Sequence, residues 1–176
     1  DLQRITVDVP GEGRQTYWYV VYTVTNNTGR DVNFHPEMTL VTDTLQELHA
    51  MVEVAPEVFS KIQQQYKATY PWLEHPSKVI GKLLQGKDNA RDSIAVWPDF
   101  DPKARSITLY VGGLAGEMIA VPNPAFKAGK SDPAKVPPVF VLRKTLAVEY
   151  DLPADTANRT SVTAKRTSQE LEWIMR

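Results

Sequence analysis

A chain of 176 residues with 20 basic and 21 acidic side chains, a net charge of -1 and no cysteine is long enough for one core and short for two. The missing cysteines exclude thiolate metal sites, disulfide frameworks and cysteine nucleophiles. Balanced charge without a long run of one sign argues against nucleic acid or an anionic membrane as the main partner, and no apolar run approaches the roughly 18 residues that would span a bilayer.

The chain opens at Asp1 beside an apparent strand, from which removal of an N-terminal leader is expected. Residues 15–26 crowd Tyr, Trp, Val and Thr together, as strands do. Trp18, Val20, Tyr22 and Val24 share one face, and Tyr17, Tyr19, Val21 and Thr23 the other, so both faces are largely apolar and a central strand is predicted. The turn-forming run Asn26-Asn27-Thr28-Gly29 follows and predicts a hairpin. Its second strand would carry Phe34, Met38 and Leu40 to about Thr44, with Pro36 marking a bulge or an edge.

Residues 48–54 continue or add a strand. Val58, Ile62 and Tyr66 then lie four apart with polar residues between them, the spacing of an amphipathic helix over 56–69, opened by Pro56 and ended before Pro71. Residues 77–84 fit either a helix or a strand, and the strand is preferred. Strands are expected at 93–97 and 106–111, with Asp99 to Pro102 turning between them. Residues 122–138 hold five prolines and read as an extended surface loop. A long strand over 139–150, a polar stretch over 151–169 and a short strand over 171–175 complete the chain. Short strands with one convincing helix predict a mainly β fold, an immunoglobulin-like antiparallel β-sandwich with one helical insertion, formed as a single domain over 1–176.

Candidate chemistry is sparse. Of three histidines, His35 could share a strand face with Glu37, with Asp43 further along, which makes a carboxylate-imidazole metal site near His35 conceivable; a solvated polar face is the simpler reading. Asp99 and Asp101 read as turn residues, because calcium needs six to eight oxygens. No serine-nucleophile motif occurs, and Gly112-Gly113-Leu114-Ala115-Gly116 lacks the lysine and hydroxyl of a phosphate loop. Tyr17, Tyr19, Trp97 and Tyr110 could form an aromatic surface that stacks a sugar or a peptide, unless the helix packs over that face and buries them.

Residues 19–43, YVVYTVTNNTGRDVNFHPEMTLVTD, together with the G-x-L-x-x-G unit Gly81-Lys82-Leu83-Leu84-Gln85-Gly86 and the strands near 92–97 and 107–112, resemble an uncharacterised family of secreted bacterial proteins and lipoproteins with an immunoglobulin-like domain. The resemblance covers about two-thirds of the chain. It implies an extracytoplasmic location, a non-enzymatic binding or structural role, protein or glycan of the cell envelope as partner, and no cofactor. It supplies no catalytic residues. A metal-assisted hydrolytic enzyme with a site near His35 is the alternative.

Overall fold

The computed structural model describes residues 1–153 and 164–176. Among them the fold is mainly β, with antiparallel sheets and a small helical part. Strands β1 (Gln3–Val9), β2 (Gly13–Val24) and β7 (Arg91–Pro98) form a three-stranded sheet with β2 at its centre, as the two apolar faces of residues 15–26 require. Strands β4 (Glu37–Thr42), β5 (Glu47–His49), β8 (Ser106–Gly112), β10 (Val139–Asp151) and β11 (Lys165–Arg166) form the path of a larger sheet in the order β11-β10-β8-β4-β5. β9 (Met118–Pro122) and β12 (Glu172–Met175) also pair with β10. A two-stranded patch joins β3 (Val32–Phe34) to β6 (Gly81–Leu83).

Alternation along the strands divides the side chains between two cores. Trp18 and Val20 of β2 and Ala95 and Trp97 of β7 point inward and meet Leu40, Ile107, Leu109, Val111 and Tyr150 of the larger sheet. On the opposite side of the small sheet, Ile5, Val7, Tyr17, Tyr19, Ile94 and Val96 pack beneath helix α1 (Pro56–Tyr66) through its Val58 and Ile62. The molecule is therefore three layers deep: helix, small sheet, large sheet. The fourfold spacing of Val58, Ile62 and Tyr66 gave the helix correctly, and Pro56 sits in its first turn.

Two local expectations are corrected. The turn after residue 26 does not close a hairpin, since β2 pairs with β1 and β7 whereas β4 pairs with β5 and β8. Instead the buried Asn26 amide donates to the carbonyls of Arg30 and Leu83, at 2.8 and 3.0 Å, and its side-chain oxygen accepts from the Thr28 N–H. That fastening sends the chain from one sheet to the other. Residues 77–84 divide between the short helix α2 (Pro76–Val79) and β6, which opens with Gly81 at φ 112°. Of the polar stretch expected over 151–169, positions 154–163 lie outside the described residues.

Candidate functional site

Of the four aromatic residues that could have formed a stacking surface, Tyr17, Tyr19 and Trp97 are buried, as packing by the helix and between the sheets requires. Tyr17 and Tyr19 lie beneath α1. The Tyr19 ring meets the edge of Tyr66 of the helix with centroids 6.2 Å apart, and both hydroxyls donate to the Gln3 side-chain oxygen, at 3.0 and 2.7 Å. Burial, and next the hydrogen bond with Tyr66, push the Tyr19 phenol far above its ordinary pKa. Trp97 is fully buried between the sheets. Tyr110 alone reaches the surface, because it stands with Ser106 and Thr108 on the outward face of β8.

His35 and Glu37 are both exposed, His35 in the link between β3 and β4 and Glu37 as the first residue of β4. Asp43 lies beyond the other end of β4, about 20 Å along an extended chain from Glu37, where its carboxylate accepts from the Arg105 N–H at 3.1 and 3.2 Å. Among the described residues no three His, Asp or Glu side chains come together in a way that could hold a metal ion.

Tyr110 instead helps to line an open cleft of about 530 Å³ that includes Glu37 and Gly112, where the β3–β4 link and the end of β8 meet. Register assembles its polar wall: Thr39 lies opposite His49 on one side and Tyr110 on the other. The Thr39 hydroxyl and His49 Nδ1 are 3.2 Å apart. Arg176 is brought over β8 by two backbone hydrogen bonds with Arg143, of 2.7 and 3.0 Å. Its guanidinium stands 4.3 Å from the Tyr110 ring centroid and donates to Glu47 at 2.9 Å. A guanidinium stacked on an aromatic ring, a second guanidinium, a carboxylate at each side and an imidazole thus share one concavity, in which a polar ligand would find a planar cation and hydrogen-bond partners.

Arg143 and Arg176 carry no local signal in the sequence, and His49 stands out there only as one of three histidines. Arg176 and Glu47 are 129 positions apart, and only strand pairing brings them together. The outward parity of Tyr110 was the one local signal for this site. No protein-family model, no curated protein and no solved structure matches the chain.

Proposed function

We infer that the protein is an immunoglobulin-like, extracytoplasmic module that binds a protein or glycan component of the cell envelope without catalysis, with its ligand in the cleft around Tyr110. The observation carrying this reading is the Tyr110 ring under Arg176 in a concavity rich in hydrogen-bonding groups. Strand order supports the immunoglobulin-like part. β1-β2-β7 facing β5-β4-β8-β10 has the connectivity of A-B-E facing C′-C-F-G in immunoglobulin sandwiches. In that correspondence the cleft lies where the B–C and F–G connections emerge, the end that variable domains use for recognition. This part of the argument is an analogy of fold, and the chemistry of the cleft carries the rest.

Titration of the protein with chito-oligosaccharides and soluble peptidoglycan fragments, read by calorimetry, tests the reading. Binding that weakens at least tenfold in Tyr110→Ala, and likewise in Arg143→Ala, is the expected result. Absence of binding to either probe, or affinity indifferent to both substitutions, would sink it. Fractionation of the source cells should place the protein outside the cytoplasm.

A further inference from the structure

The large sheet extends well beyond the small sheet that covers it. β10 runs for 13 residues; β8 pairs with positions 146–151 and β9 with positions 139–143 of the same strand. The even-numbered residues of β10 face the small sheet at Leu146, Val148 and Tyr150. Continued along the strand, that face carries Leu142 and Phe140, and register adds Ile119 and Val121 from β9 and Trp173 and Met175 from β12. No layer lies over this stretch among the described residues: Ile119, Phe140 and Trp173 are each between two-fifths and one-half exposed, and Leu171 and Met175 are exposed beside them.

We propose that this overhanging apolar face is the contact surface for a second copy of the same chain, the two overhangs stacking face to face about a twofold axis. The side chains at 119, 121, 140, 142, 171, 173 and 175, most of them between about one-third and three-fifths exposed, present on the order of 600 Å² of apolar surface. That approaches the roughly 800 Å² per partner of a standard stable interface, before any contribution from main chain or from the 123–138 loop. An isolated two-stranded ribbon is marginal in water, so covering β9 and the start of β10 would also secure the arm they form.

Charge favours a like partner. The charged groups on the face are Lys144 and Glu117, which pair at 2.6 Å, with the ammonium 5.4 Å from the Trp173 ring centroid. The pair is neutral as a unit, so two identical faces meet without repulsion. A twofold can set the Lys144 of one copy beside Glu117 of the other. Isologous contacts need this self-complementarity. Stacking of sheets about 10 Å apart is also the mode by which this same sheet already packs on its own small sheet.

Sedimentation velocity of the chain between 1 and 200 µM is the primary test, with those limits chosen on the order of ordinary transient and stable dimer affinities. The expected result is a concentration-dependent dimer, at least tenfold weaker in Phe140→Glu while circular dichroism and the unfolding midpoint of dilute protein stay unchanged. Because the chain has no cysteine, Val121→Cys gives a second readout, and it should form a disulfide-linked dimer under mild oxidation faster than Gln64→Cys on the outer side of α1. A chain that stays monomeric throughout, a dimer indifferent to Phe140→Glu, or equal cross-linking at positions 121 and 64 would overturn the proposal. None of these results depends on the ligand cleft, since Tyr110 lies on the opposite face of the sheet.

Discussion

The two halves of β10 have similar composition and opposite fates. On the inward face, residues 145–151 bury Tyr150 to 4 % exposure and pack Leu146 and Val148 against the core, whereas residues 139–143 leave Phe140 46 % exposed. Valine and aromatic residues occur in both. The difference lies in what stands above and beneath the strand: the inner face of the C-terminal half meets β2 and β7, and that of the N-terminal half meets no described layer. Apolar alternation therefore reports that a strand can be covered, and the cover itself must come from another part of the chain or from another molecule.

The sharpest way to break this comparison is to remove the largest side chain from the layer that covers the C-terminal half. Trp18 is fully buried, stacks on Phe100 with centroids 5.1 Å apart and donates its indole N–H to Asp99 at 2.7 Å. Trp18→Ala should lower unfolding free energy by about 4 kcal/mol, through lost burial and the cavity left behind. Urea denaturation of dilute protein measures it. A loss below about 1 kcal/mol would mean that the two sheets are not the cooperative core described.

Much of this architecture was legible in local spacing. The helix followed from Val58, Ile62 and Tyr66, and the outward and inward faces of β8 from its alternation. Pairing was not legible, because the sequence around Asn26 specifies a tight turn and does not specify which sheet the next strand joins. That choice rests on Asn26 bonding to Leu83, 57 positions away. The candidate site fared likewise. Tyr17 and Tyr19 have the composition of a binding face and the geometry of a core, and a helix nearly 40 residues later decides between them. Tyr110 was found, but Arg176 and His49 reach it only through the register of β4, β8 and β10.

A smaller effect concerns how the connection after α1 is tied to the small sheet. Glu74 accepts from Arg91 Nε at 2.8 Å, and its N–H and carbonyl bond the backbone of Asp92 and the hydroxyl of Ser93. The Arg91 hydrogen bonds hold the Glu74 carboxyl below its ordinary pKa against a smaller opposing effect of desolvation. A carboxyl depressed on folding stabilises the protein above its unfolded pKa, near 4.3, and that contribution fades as pH falls through the lower folded value. For a pair this accessible the effect is about 1 kcal/mol or less. Glu74→Gln should therefore lower stability at pH 7 by about that amount and narrow its gap to the parent protein as pH drops from 5 to 3, in urea titrations across that range. A gap that widened on acidification would contradict the assignment.

The last test compares one kind of residue at a covered and an uncovered position, and its decisive member is the smallest effect. Val96 of β7 is fully buried beneath α1, and Val141 of β10 stands on the outward face of the overhang, away from the face proposed to meet a second copy. Valine and threonine have nearly the same shape and both suit strands, so Val→Thr mainly asks whether a hydroxyl can be hydrated. At Val96 it enters an apolar layer and should cost about 2 kcal/mol. At Val141 water already reaches the side chain, and the change should stay within about 0.5 kcal/mol. Because Val141 lies off the proposed contact face, that small value should hold at high protein concentration as well as low. Urea midpoints for both variants at 1 and 100 µM, a range on the order of usual dimer affinities, decide it: a large, concentration-dependent loss in Val141→Thr would show that the outward face is the covered one and would move the contact surface to the other side of the sheet.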